Sequence, residues 1–161
     1  AFAAVFGFLL LHPGGVLVIV LPDAVVKVAG ETADHGLVAG VREAKAAAAQ
    51  ASAAKRPILA DFTGSDWCGW CMKLDDEAFS KSEFKKFAKD NLVLVELDFP
   101  HGKSQSKKLK EQNSGLKDKF GVRGYPTIII VDAEGKEQAR WGGYSKSFLA
   151  DLKEKVGALK K

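Results

Sequence analysis

Cysteine is scarce in this chain. Its 161 residues hold two, Cys68 and Cys71, and both belong to a single C-x-x-C. That excludes a framework of structural disulfides, and it leaves no second cysteine pair to complete a four-cysteine zinc site. Histidine is sparse as well: His12, His35 and His101 are scattered, so no metal site is expected. No G-x-G-x-x-G run occurs, so no bound nucleotide is expected and any electrons must reach the chain from a separate donor. Charge is absent from Ala1 to Pro22. Over the whole chain 24 Lys and Arg face 20 Asp and Glu, an excess too small to imply a nucleic-acid partner.

What remains is ordinary globular composition, 47% hydrophobic and 27% charged, in a length suited to one domain plus an additional segment. Residues 1–36 form that segment. Phe2–Leu11 and Val16–Leu21 are apolar, and His12-Pro13-Gly14-Gly15 interrupts them. The length approaches that of a membrane span, about 20 residues, although Pro13 weakens a simple helix. An export signal or a membrane tether through residues 1–22 is the expectation, with a strand or loop folded on the domain as the alternative. Export, to a periplasm or an equivalent oxidising compartment, is favoured over the cytoplasm. Gly30–Gly40 reads as a linker, and the folded domain is expected over 37–161. Basic residues gather at Lys103, Lys107, Lys108 and Lys110. A solvated face explains them most simply; an acidic partner or a membrane surface is the alternative.

The domain reads as alternating helices and strands. Alanine-rich 41–54 predicts a helix, and Ile58–Thr63 a buried strand followed by a Gly64-Ser65-Asp66 turn. A helix is expected from Cys68 to about Lys89, kinked near Ser80–Ser82. Leu92–Asp98 predicts a strand, 103–120 a polar helix, Thr127–Val131 a strand, 136–141 a hairpin partner, and 145–156 an amphipathic helix. Strands joined through helices are expected to be parallel, with only the last two antiparallel. The result is an α/β domain with a mixed sheet of about four strands flanked by helices.

A C-x-x-C at the start of a helix places two sulfurs one turn apart. Exposed N–H groups at the helix mouth favour a thiolate on the first. Cys68 can then attack a disulfide, and Cys71 can resolve the mixed disulfide that results. Redox chemistry is favoured over metal binding, which lacks the further ligands. The cofactor expected is none beyond a redox-active Cys68–Cys71 disulfide.

The run Asp61-Phe62-Thr63-Gly64-Ser65-Asp66-Trp67-Cys68-Gly69-Trp70-Cys71, with Gly124-Tyr125-Pro126-Thr127 farther on, resembles the two signatures of the thioredoxin superfamily, in the form seen in bacterial exported thioredoxin-like proteins. The resemblance covers about residues 37–161. It implies a thioredoxin fold and a thiol–disulfide oxidoreductase that reduces or exchanges disulfides in protein substrates. It makes Cys68 the nucleophile, Cys71 the resolving thiol and Asp61 the buried acid that takes the proton of Cys71. Pro126 would be cis, shaping with Tyr125 a groove for an extended substrate segment, while Trp67, Gly69 and Trp70 would line the docking surface. The chain departs from the family pattern in three ways. Gly-Trp replaces Gly-Pro between the cysteines, Asp61 stands one residue farther from Cys68, and Glu96 occupies the place of a lysine often found near the buried acid. Asp66, two residues before Cys68, is expected to oppose its thiolate. A disulfide oxidase or isomerase, a non-catalytic binding module and a metal chaperone are the competing functions.

Overall fold

The computed structural model describes residues 9–11, 17–21, 24–27 and 44–159. The chain divides into two compact units, Ala1–Asp34 and His35–Lys161. In the first, β1 (Leu9–Leu11), β2 (Leu17–Leu21) and β3 (Ala24–Lys27) form an antiparallel sheet in that order. Leu10 pairs with Val18 and Val20 with Val25. No described helix is long and apolar enough to cross a membrane. The rest of the expected 1–22 signal or tether, and the Gly30–Gly40 linker, lie outside the described residues.

The second unit is built on a four-stranded sheet in the order β5-β4-β6-β7. Its strands are β4 (Ile58–Thr63), β5 (Val93–Asp98), β6 (Thr127–Val131) and β7 (Glu137–Gly142). The two central strands are buried at every position, as their largely apolar runs require of strands covered on both faces. The edges differ. In β5 buried and half-buried residues alternate, and β7 is largely exposed.

Side chains on the two faces make two cores. On one, Leu59, Ile128 and Ile130 meet the helices α3 (Ser82–Asn91) and α5 (Phe148–Ala158) through Phe84, Ala88, Phe148, Leu152 and Val156. On the other, Ala60, Phe62 and Ile129 meet Ala47 and Ala51 of α1 (Ala44–Ala54). Both alanines are fully buried, and their small side chains let the helix lie close to the sheet.

Three sequence expectations are revised. First, β6 runs antiparallel to β4, with Phe62 opposite Thr127 and Ile58 opposite Val131; only β4 and β5 are parallel. The chain re-enters the sheet at the end where it left. Phe99, just past β5, and Tyr125, just before β6, have ring centroids 5.2 Å apart. Helix α4 (Lys107–Lys119) therefore returns the chain to the same end rather than carrying it across. Second, the kinked helix after Cys68 is three pieces: α2 (Gly69–Leu74), a π-helical turn Asp75–Phe79, and α3, separated from the turn by Lys81 in an extended conformation. Third, α4 begins at Lys107 rather than Lys103. Ser106 caps it by accepting the Leu109 N–H, and the preceding residues are drawn into contacts with the turn after β4.

Candidate active site

Strand β4 delivers the chain to the turn 64–67, and the turn delivers Cys68 to the mouth of α2. The Cys68 N–H donates to the Gly64 carbonyl at 2.9 Å. Cys68 is the residue that caps α2, and its Sγ accepts the Cys71 N–H at 3.2 Å. The two cysteines form a disulfide, with Cα atoms 5.2 Å apart. A sulfur held by a first-turn N–H is where negative charge on that sulfur is stabilised best. Both cysteines are largely covered, Cys68 at 7% exposure and Cys71 at 5%. The two cysteines therefore differ little in exposure in the oxidised state. Gly69 opens α2 with free space around the position a Cβ would take.

Glycine at position 64 has a steric cause. A Cβ there would lie 2.5 Å from Trp67 Cε2, so only glycine lets the indole fold back over the turn. The indole is then fixed on several sides. Its Nε1–H donates to the Phe99 carbonyl at 2.8 Å, its ring stacks on His101 at 4.4 Å and 4°, and its edge meets Tyr125 at 5.7 Å. Neighbouring residues fasten the same loop. Ser65 donates through its N–H and Oγ to the Asp98 carboxylate, and the Asp66 carboxylate accepts the N–H groups of His101 and Gly102.

The Asp66 carboxylate faces the loop, and the His101 N–H foremost, with that of Gly102, holds its pKa below the ordinary value against the opposing effect of desolvation.

Opposite the turn, the Tyr125–Pro126 peptide is cis. The Pro126 carbonyl accepts the Gly143 N–H at 2.8 Å, and Thr127 Oγ1 donates to the Gly124 carbonyl at 2.7 Å. The Tyr125 ring is caged by Trp67, Phe99 and the Lys117 ammonium, 5.2 Å from its centroid.

Trp70 is the most exposed of the large apolar side chains, at 59%. It stacks on Tyr144 at 5.8 Å, with the Lys73 ammonium over both rings. The Tyr144 hydroxyl donates to Glu77, and that bond, before burial and the Glu77 charge, raises its pKa. Trp67 and Met72, which flank the C-x-x-C in sequence, are exposed as well.

Asp61 lies on the sheet face shared by Leu59 and Ile128. It is buried, and its Oδ1 has no hydrogen-bond partner. Desolvation foremost, then the charges of Glu96, Asp75 and Asp98, pushes its pKa well above the ordinary value. Glu96 is its neighbour across the parallel pairing of β4 and β5. The place of the expected lysine thus holds a carboxylate that opposes ionisation of Asp61. Among the described residues, no group of three or more His, Cys, Asp or Glu is placed to hold a metal.

Sequence reasoning missed the contributions of His101, Phe99, Asp98, Tyr144 and Glu77. Tyr144 and Glu77 are 67 positions apart, and Asp66 and His101 are 35 apart. No periodicity or short motif carries such pairings.

The sequence pattern of the thioredoxin-like domain family matches residues 44–154. The chain is 46% identical over 87 residues to the disulfide bond reductase DsbH of Chlamydia pneumoniae, covering 54% of this chain and 52% of that protein. It is 33% identical over 99 residues to the thioredoxin-related protein DsbJ of the same organism, covering 62% of this chain and 28% of that one. The chain thus spans about half the length of the first relative and less of the second. Among solved structures, a DsbH oxidoreductase superposes with a TM-score of 0.66 at 33% identity, covering 80% of this chain and 95% of that one.

Proposed function

The chain belongs to the thioredoxin-like family, and from that premise we propose that it is a thiol–disulfide oxidoreductase that reduces disulfide bonds in protein substrates. The observation that carries this reading is the Cys68–Cys71 disulfide at the mouth of α2, with Cys68 Sγ accepting the Cys71 N–H. In the dithiol state the same N–H favours a thiolate at Cys68. That thiolate attacks one sulfur of a substrate disulfide, expelling the other as a thiolate. Cys71, once deprotonated, attacks Cys68 in the mixed disulfide and releases the second substrate thiol. The substrate gains two electrons and two protons, and the chain is left as the disulfide seen here. The similarity to a disulfide bond reductase supports this direction.

Asp61 is the group proposed to take the Cys71 proton. Burial raises its pKa, so once ionised it takes up a proton more readily than an ordinary carboxylate. Tyr125 lies just before Thr127, where β6 begins to pair with β4. Its main chain is proposed to receive an extended substrate segment beside Pro126. Trp67, Gly69 and Trp70 supply the apolar surface against which that segment rests. The disulfide itself is the redox group, with no further cofactor. Return to the dithiol requires two electrons from a separate reductase. Export to an oxidising compartment, with residues 1–22 as the signal or tether, is the location that the apolar amino-terminal stretch supports.

Reduction of a disulfide-bonded protein such as insulin, driven by excess dithiothreitol, tests the proposal. The chain is expected to accelerate it and Cys68→Ser to lose the acceleration. Equal acceleration by Cys68→Ser would refute the assignment.

A further inference from the structure

The basic residues fall in one place. Residues 103–123 carry seven Lys or Arg against Glu111 and Asp118, a net charge of +5. The rest of 44–159 carries thirteen against fourteen, a net of −1. Lys103, Lys107, Lys108, Lys110, Lys119 and Arg123 are exposed, and the Lys107 side chain is 91% accessible.

Both ends of this stretch touch the redox site. At one end Lys103 Nζ donates to Ser65 Oγ at 3.2 Å, in the turn that precedes Cys68. At the other, Lys117 Nζ lies 5.2 Å from the centre of the Tyr125 ring, and Arg123 stands two residues before Tyr125 in the sequence. The acidic groups nearest the turn face it and the loop after β5 rather than the basic surface: Asp66 accepts from His101 and Gly102, and Asp98 accepts from Ser65.

The helix dipole does not account for the lysines that open α4. Helix α4 starts with Lys107, Lys108 and Lys110, and its first turn holds no acid. Cations there oppose the helix dipole, which favours negative side chains at that end. The i,i+4 pair of Lys107 with Glu111 is exposed and offsets little of this.

We propose that the surface of 103–123 is a docking face for a redox protein partner with acidic residues flanking its own reactive disulfide. This inference rests on the oxidoreductase reading and adds the charge of the partner. A positive surface next to the redox site raises the encounter rate of oppositely charged partners and lowers that of like-charged ones. A protein is the occupant because the basic stretch adjoins both the turn before Cys68 and Tyr125, where the exchange requires a polypeptide to lie.

The test uses the full chain in its dithiol form and three peptides with the same internal disulfide, flanked by Asp, by Asn or by Lys. At about 20 mM salt the Asp peptide is expected to be reduced about tenfold or more faster than the Lys peptide. At about 300 mM salt the gap should shrink, because screening shortens the reach of the field. The variant Lys107→Glu/Lys108→Glu/Lys110→Glu should reverse the order. Its melting temperature should match or exceed the wild type's, because glutamates suit the start of α4. The milder Lys107→Gln/Lys108→Gln/Lys110→Gln should erase most of the preference.

Equal rates for the three peptides, a preference insensitive to salt, or one retained in both variants would overturn the proposal. Tighter retention on phosphatidylserine vesicles or on a DNA oligonucleotide than on the Asp peptide would give the surface to a lipid or nucleic acid, and would also overturn it. If no peptide is reduced, the oxidoreductase reading fails and takes this one with it. If all three are reduced alike, that reading stands and this one alone falls.

Discussion

Asp61 is the residue whose environment differs most from that of an ordinary aspartate. It is buried, one oxygen is unpartnered, and the charges named around it are negative. An unfolded aspartate releases its proton near pH 3.9, whereas folded Asp61 holds its proton to a higher pH. Between those two values the folded chain binds the proton more tightly than the unfolded chain does. Stability is therefore greatest in acid and declines as pH rises through that window. Asp61→Asn removes the ionisation. The variant should match the wild type most nearly below the window and exceed it above, as read from denaturant midpoints across pH. The same variant should slow release of substrate from the mixed disulfide, because no carboxylate remains to accept the Cys71 proton. Trp70 depends on a neighbour instead. Tyr144→Ala removes the ring it stacks on and should change its fluorescence and weaken peptide binding, whereas Tyr144→Phe keeps the stack and should leave both near the wild type. The cysteines, Asp61 and Pro126 were legible in the sequence because each belongs to a short contiguous motif. Tyr144 was not, because its meaning comes from Trp70, Lys73 and Glu77 across the fold.

At the scale of elements, the site is a turn stapled to the loop after β5. Gly64 permits the arrangement, Trp67 fills it, and Ser65 and Asp66 fasten it. Gly64→Ala drives a methyl into the indole, so it should destabilise the chain by about 1–3 kcal/mol. It should also loosen the loop 99–103, which hydrogen exchange at His101 and Gly102 would detect. The strands were legible because β4 and β6 are largely apolar runs and β7 follows a Gly-containing turn. The direction of β6 was not. A helix between two strands favours a parallel crossover, and only the contact of Phe99 with Tyr125 reveals that α4 brings the chain back to the end it left. The start of α4 was displaced for a related reason: the residues before it serve the turn 64–67, a contact with no local signal.

At the scale of the molecule, both hydrophobic cores lie within the unit His35–Lys161. A chain limited to that unit should therefore fold, with a melting temperature within a few degrees of the full chain's, and should keep its disulfide exchange. Calorimetry and the insulin assay check both. The central claim concerns the division of labour between two sulfurs in this unit, and it is tested most directly by mass spectrometry of a single turnover. Reduced chain is mixed with a disulfide peptide, quenched with acid and weighed intact. Cys71→Ser should accumulate one peptide on Cys68 and stall there, the wild type should pass to its internal disulfide with both peptide thiols released, and Cys68→Ser should remain unmodified on the same timescale. An adduct forming as readily on Cys71 in Cys68→Ser, or none forming on Cys68 in Cys71→Ser, would contradict the account.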